Sequence, residues 1–419
     1  MTTPLLDHES IATRLAEIVG ATHVSSAPAD VDAYGGLDPV LVVWPGAASE
    51  VARVLKTCTE LGVAVGVSAS GTRATRHWPV QDDRLRIALD TRRMLNILEV
   101  DELSLTVHSQ CGIQLRHLEE AVNRHGLTLG PFPPAVQRHT LGGILAAPHP
   151  SAHSPQAGWL TQACMAVSVA QADGTVIHTR VAPRRATGPD ISRIYLGSRG
   201  ALGVITTAVL RLRRQAEHEA VVSFALPDLP AAIDGARAAL VRGIRPARLR
   251  VLGAEQAARE LGQTQPPLPA VVLAVLAGPQ AMAAVEQRLL EDTLAEHGAT
   301  PLPHAVGSRW WARSAVYAEA PEPQPCPIAV RVGYSRVREA LEAAPRRIQR
   351  EAVLTWAEGF SLRGTTLWFA LPGATEEPHD LRAALLDAGL DPYRINFPPL
   401  LDELRQQLDP AQTLVVMEA

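Results

Sequence analysis

Three runs of small residues, far apart in the chain, could do chemistry. They are Ser68-Ala69-Ser70-Gly71-Thr72, Thr140-Leu141-Gly142-Gly143, and the longer Gly197-Ser198-Arg199-Gly200-Ala201-Leu202-Gly203-Val204-Ile205-Thr206. Small residues let backbone N–H groups come close enough to a phosphate to donate to it. Any one run alone is as readily a plain turn. None contains the Gly-Lys-Ser/Thr of a Walker loop, and none makes a convincing Gly-x-Gly-x-x-Gly between a strand and a helix.

Other residues could move protons or hold anions. His139 directly precedes the second run, and an imidazole titrates near neutrality. The plainer reading is a loop histidine near solvent. His149 and His153 have the i, i+4 spacing of a helical metal pair, but Pro148 and Pro150 argue against a helix, so no metal site is assigned. Glu358 and Arg363 are a carboxylate and a guanidinium close together late in the chain. An arginine there would bind a carboxylate through two N–H groups, or the two would form a surface salt bridge. Trp310, Trp311 and Arg313 read as packing or as a pocket wall.

These groups need elements to position them. Ile11, Leu15 and Ile18 share a helical face, and Val51, Val54, Leu55 and Cys58 make the stripe of a helix over 48–61, stopped by Gly62. Strands are predicted around 41–45, 63–67, 85–89 and 103–107, with a helix over 113–124. A hairpin turns at Asp173-Gly174, and an exposed edge strand is predicted over 208–213. Past Arg214 the pattern becomes strands with intervening helices: 220–226, 229–241, 248–252, 269–276 and 282–297. Another set follows: 328–332, 337–344, 352–356 and 366–370, then helices over 381–388 and 400–408. Residues 319–327 read as a stiff proline-rich loop.

The chain has 419 residues, 20% charged, with a net charge of −4, which predicts two or three units and no broad nucleic-acid surface. Lys56 is the only lysine. Cys58, Cys111, Cys164 and Cys326 are too scattered for a disulfide framework or structural zinc. There is no apolar leader at the N-terminus and no membrane-length apolar run, which predicts a soluble cytoplasmic protein.

The stretch Thr187-Gly188-Pro189-Asp190-Ile191 followed by 197–206 resembles the third signature of FAD-linked oxidases of the vanillyl-alcohol oxidase/p-cresol methylhydroxylase type. The lead-in is most similar to alkyl-dihydroxyacetone-phosphate synthases and bacterial D-2-hydroxy-acid dehydrogenases. The three runs occur in the family's order, and the likeness extends over about residues 30–215. Asp409-Pro410 is similar to the Asp-Pro that closes these chains.

The resemblance implies an α+β chain: a p-cresol-methylhydroxylase-type FAD-binding domain of two α/β subdomains, with an antiparallel-sheet cap. The implied division is an N-terminal helix (1–26), the FAD-binding domain (27–214), the cap (215–373), and C-terminal helices that return to the FAD-binding domain (374–419). It also implies a cofactor site of Ser68, Ala69, Ser70, Gly71, Thr72, Arg73, Pro133, Thr140, Gly142, Gly143, Ala146, Gly200, Gly203, Val204 and Ile205. His139, Glu358 and Arg363 are the implied catalytic set. The implied activity is oxidation of a small hydroxy acid or alcohol by hydride transfer to flavin N5. Residues 355–364 lack the family's cap histidines, as in the FAD-binding accessory subunit of bacterial glycolate oxidase. The alternative is therefore an accessory FAD-binding subunit of a heteromeric oxidase, or a lineage with a degenerate flavin site; a partner subunit or a homodimer is the expected assembly. Because the first run offers neither histidine nor cysteine for a covalent bond, FAD should leave the purified protein on acid or heat treatment. Flavin that stays with the precipitate would contradict this.

Overall fold

The computed structural model describes residues 8–34, 39–68, 84–130, 132, 134–147, 152–182, 189–262, 267–316, 327–372, 374, 378–390 and 399–415. Its first layer follows from the apolar stripe over 48–61. The helix Ala48–Leu61 buries Val51, Val54, Leu55 and Cys58, and Gly62 ends it in the left-handed region at φ 67°. The stripe packs on a mainly parallel sheet of Leu41–Val43, Arg86–Asp90, Ala64–Ser68 and Leu414–Val415, in that order, with Val24–Ser25 antiparallel at one edge.

A second, antiparallel sheet orders Val176–His178, Cys164–Ala170, Val204–Arg211, Thr106–Gln110 and Ile97–Asp101. Two expectations change here. Val204–Arg211 is the central strand rather than an edge, since alternation reports one less-buried face and not an unpaired backbone. Residues 103–107 are not a strand from their start. Asp101 accepts from the amides of Leu103 and Ser104, closing a turn between two strands and leaving Leu103 in solvent.

The cap is a seven-stranded antiparallel sheet in the order Thr300–Pro301, His218–Leu226, Ala270–Gly278, Arg248–Gly253, Leu354–Glu358, Gly364–Ala370 and Ile328–Gly333. The helices Leu229–Val241 and Gln280–Ala295 cover one face, where Ile233, Ala236, Leu290 and Leu294 meet Val251, Val272 and Leu367. The other face carries Leu252, Leu273 and Trp356, and Trp310 of the helix His304–Val316 packs against it. Leu381 and Leu385 of the helix His379–Asp387 are buried in the first of these cores. Of the two helices expected to return to the FAD-binding domain, that one therefore stays on the cap, while Leu404 and Leu408 of Pro399–Leu408 pack beside the second sheet's core.

The last strand, Leu414–Val415, pairs in parallel with Ala64–Ser68. Asp409 locks the turn before it. Buried, it accepts from the amides of Thr413 at 2.8 Å and Leu414 at 2.7 Å. Asp409→Ala strands two buried donors and should cost about 2–3 kcal/mol, with Asp409→Asn losing less. Thermal unfolding checks this, and an unchanged midpoint in the alanine variant would contradict it.

Candidate active site

The second and third small-residue runs meet directly. Gly197 donates its amide to Leu145 O at 2.9 Å and Arg199 to Ala146 O at 2.8 Å, which lays the third run along the helix Leu141–Ala146. Arg199 holds this path at φ 55° between Gly197 at 81° and Gly200 at 83°. A Cβ on Gly200 would lie 3.9 Å from Val67, so the third run also touches the strand that leads into the first run. Of that first run only Ser68 is described, where it ends the strand; Ala69 to Arg73 and Pro133 lie outside the described residues.

The amides at the start of Leu141–Ala146 are already used within the protein. Leu141 donates to Ile113 O, Gly142 to Cys111 O, Gly143 to the Thr140 hydroxyl and Ile144 to Thr140 O. Gly142 is small because its Cβ position is 3.1 Å from Cys111 O. Thr140, Gly142 and Gly143 thus offer a shaped wall rather than open donors. Gly203 is likewise fixed by packing, since a Cβ there would stand 2.5 Å from Val169 and 2.8 Å from Ala170 O. Unspent polar groups sit close by. The Ser198 hydroxyl and the Gln114 side-chain oxygen are buried with no hydrogen-bond partner, and Gln114 bridges to Thr140. Gly200 has an amide with no bond among the described residues. A phosphate- and hydroxyl-rich cofactor fits such a set.

The cap sheet carries charge on the face that holds Leu252 and Trp356. Arg250 lies in register with Glu358, Glu358 pairs with Thr366, and Thr366 pairs with Arg331, so one row crosses three strand pairings. Arg250 makes ion pairs with Glu358 at 2.9 Å and with Glu260 at 2.6 Å; both carboxylates are almost fully buried. Burial pushes the Glu260 carboxyl up, against the attraction of Arg250. The guanidinium also lies 5.5 Å from the Trp356 ring, which stacks on Trp368. Two residues earlier on the same face, Arg248 is 4% exposed. Burial and Arg250 push it down to about 10, with Glu358 opposing.

The hairpin His153–Ser154/Gly158–Trp159 joins the two parts. Arg248 Nη1 donates to His153 O at 2.6 Å, Gln156 donates to Ala277 O at 3.0 Å and to Pro246 O at 3.2 Å, and a Cβ on Gly359 would come within 3.9 Å of Trp159. The His153 ring stands edge-on to Trp159 at 4.9 Å. Burial first, then Arg248 and Arg331, hold its pKa down to about 4.

The sequence-derived catalytic residues fall in three places. His139 sits half-buried ahead of Thr140, its carbonyl accepting from Leu115. Glu358 is committed to Arg250 rather than forming a surface salt bridge. Arg363 is exposed on the hairpin turn, its amide bonded to the Ser361 hydroxyl. Arg248 and Arg250 carry more of the buried charge, with a neutral His153 beside them. The i, i+2 arginines on a strand that otherwise reads as core were the available signal.

An α/β unit of two sheets thus carries an antiparallel cap whose one face is charged. Residues 39–180 match the FAD binding domain family. The solved structure of p-cresol methylhydroxylase superposes with a TM-score of 0.75 over 98% of each chain at 12% identity. The alkyldihydroxyacetonephosphate synthase of Caenorhabditis elegans is 27% identical over 220 residues, 52% of this chain and 37% of the synthase. A mitochondrial D-lactate dehydrogenase (cytochrome) of Arabidopsis thaliana is 25% identical over 333 residues, 75% of this chain and 57% of the dehydrogenase. The chain therefore carries an FAD binding domain, with FAD as its cofactor, and has the p-cresol methylhydroxylase fold.

Gly143 and Gly203 should now separate. A Cβ on Gly143 meets only the Thr140 hydroxyl, at 3.0 Å. Gly143→Ala should leave the melting midpoint near wild type and weaken FAD binding to the apoprotein. Gly203→Ala should cost about 1–3 kcal/mol of stability by overpacking. Flavin fluorescence titration with thermal melts reads both, and a Gly203→Ala variant of wild-type stability would overturn the packing argument.

Proposed function

We propose that this chain is an FAD-dependent oxidoreductase that oxidises a small hydroxy acid or alcohol, with hydride passing to flavin N5. The observation that carries the reading is the buried, arginine-rich cap face set against an FAD binding domain. Catalytic sites are where buried charges with displaced pKa values gather. The likeness to a D-lactate dehydrogenase supports a hydroxy acid in particular.

FAD supplies the two-electron acceptor when bound. Ser68, Ala69, Ser70, Gly71, Thr72 and Arg73 would hold its diphosphate, with the Gly200 amide and the Ser198 hydroxyl beside them. Thr140, Gly142, Gly143, Ala146, Pro133, Gly203, Val204 and Ile205 would form the wall along its rings and ribityl chain. His139 would accept the substrate's hydroxyl proton. Glu358 would act by fixing Arg250, and Arg363 would meet a substrate from the solvent side. Free thiols at Cys58, Cys111 and Cys164 support a reducing, cytoplasmic setting. No described helix is long and apolar enough to cross a membrane.

The second reading, an accessory FAD-binding subunit, is favoured by one feature: residues 354–370, which supply the fifth and sixth strands of the cap sheet, contain no histidine. Anaerobic mixing of the flavin-loaded protein with a panel of 2-hydroxy acids and alcohols separates the two. Oxidation predicts bleaching of the visible flavin band by at least one hydroxy acid, slowed roughly 10²-fold or more in His139→Gln. Flavin that stays oxidised throughout would refute the catalytic reading and favour the subunit.

A further inference from the structure

We infer that Asp90 is a positioning residue for the cofactor: it fixes the turn that spaces the strand end at Ser68 from the second small-residue run. This rests on the reading that Ser68 and Gly142 border the cofactor, and not on the oxidation chemistry. The turn 90–94 lies between those two places. Asp90 ends its strand in register with Ser68, and the Thr91 amide donates to Ser68 O at 3.3 Å. On its other side the turn presses on Gly112, where a Cβ would stand 1.8 Å from Thr91 O and 2.9 Å from Met94 O. Gly112 belongs to the strip 111–114, which holds the other two runs. Cys111 O accepts from Gly142 and Ile113 O from Leu141, each at 2.8 Å, while the Cys111 amide donates to Thr206 O at 2.9 Å. A shift of the turn therefore moves Ser68 relative to the wall that Gly142 begins.

Asp90 is what holds the turn. It is fully buried at the carboxyl end of the parallel sheet, the end at which such sheets bind their ligands. Its carboxylate accepts from the Arg92 amide at 2.7 Å, from the Arg92 guanidinium at 2.8 and 2.9 Å, and from the Tyr34 hydroxyl. Arg92 Nη2 donates in turn to the Tyr34 oxygen at 2.5 Å, which closes a ring of three side chains. Tyr34 follows the helix Pro28–Asp32 and is itself buried. Arg93 adds a second tie, donating to Trp44 O at 2.7 Å. An uncharged Asn or Ser would close the same turn without burying a charge. A buried ion pair is an inefficient route to stability, yet it can enforce one geometry. The geometry enforced here is the spacing of the cofactor cleft.

The test sets FAD affinity against fold stability. FAD is titrated into the apoprotein by flavin fluorescence at a temperature where every variant is folded, and the visible circular dichroism of the flavin is recorded at saturation. Asp90→Asn, which keeps the shape and loses the charge, should weaken FAD binding roughly tenfold. Tyr34→Phe, which loses one oxygen and keeps the ring, should weaken it less, and both should change the flavin dichroism. The control is Asp228→Ala, which removes the carboxylate that accepts from the Ala231 amide at 2.7 Å where the cap helix Leu229–Val241 begins. It should lower the melting midpoint and leave FAD affinity and dichroism at wild type. Wild-type affinity and dichroism in both Asp90→Asn and Tyr34→Phe would overturn the positioning role. An equal loss of affinity in Asp228→Ala would overturn it too. Should Asp90→Asn fail to fold, Tyr34→Phe decides alone. Gly143→Ala separates the inference from the reading beneath it. If that variant binds FAD weakly while the Asp90 and Tyr34 variants bind as wild type, the second run borders the cofactor and Asp90 does not position it. If all three bind as wild type, the border itself is misplaced.

Discussion

A guanidinium taken out of water must be answered by opposite charge, and Arg250 imposes that demand on the whole inner face of the cap. Its partners come from different elements. Glu260 lies on the helix Ala254–Leu261 and Glu358 on the strand Leu354–Glu358. Each contact therefore fixes an element as well as a charge. Replacing either carboxylate would leave a buried cation partly uncompensated, which typically costs several kcal/mol. Burial first displaces Arg248 and His153 from their ordinary pKa values, with Arg250 adding to it at Arg248, and Arg248 and Arg331 adding to it at His153.

The charged face matters because the hairpin around residues 153–159 is pressed onto it. That hairpin uses backbone as much as side chain. It offers the His153 carbonyl to Arg248 and the Gln156 amide to Pro246 O, and the Gln156 side chain reaches the cap strand at Ala277. On the FAD-binding side, the third small-residue run is strung from the helix Leu141–Ala146, so the wall expected along the cofactor and the seam beneath the cap belong to one continuous stretch of packed structure. Substitutions in the seam should therefore be felt on both sides of it.

Much of this was legible in the sequence, for identifiable reasons. The stripe Val51, Val54, Leu55, Cys58 with Gly62 behind it defines both the face and the end of its helix, and Asp173-Gly174 marks its hairpin turn, with Gly174 at φ 86°. The resemblance of residues 187–206 to a family signature, with the three runs in that family's order, pointed to the cofactor. Their individual glycines were harder to read. Spacing cannot say that Gly142 is small for Cys111 O or Gly203 for Ala170 O, because those neighbours are remote in sequence. Glu358 was read as a surface group or a catalytic one because its partner, Arg250, lies more than a hundred residues earlier on a strand whose alternation looks merely apolar. The helix His379–Asp387 carries ordinary amphipathic spacing, which gives its buried side but not the domain it covers.

The strand Leu414–Val415 has a consequence for how the chain reaches its native state. It lies against Ala64–Ser68, and the Thr59 and Thr413 hydroxyls are 2.9 Å apart across a separation of 354 residues. During vectorial synthesis the first parallel sheet must wait, with one edge of Ala64–Ser68 uncovered, while the second sheet and the entire cap emerge from the ribosome. An exposed parallel edge is a template for pairing with other chains. The interval between translating the first sheet and sealing it is thus the nascent chain's period of greatest risk, and the Asp409 turn is the clasp that ends it.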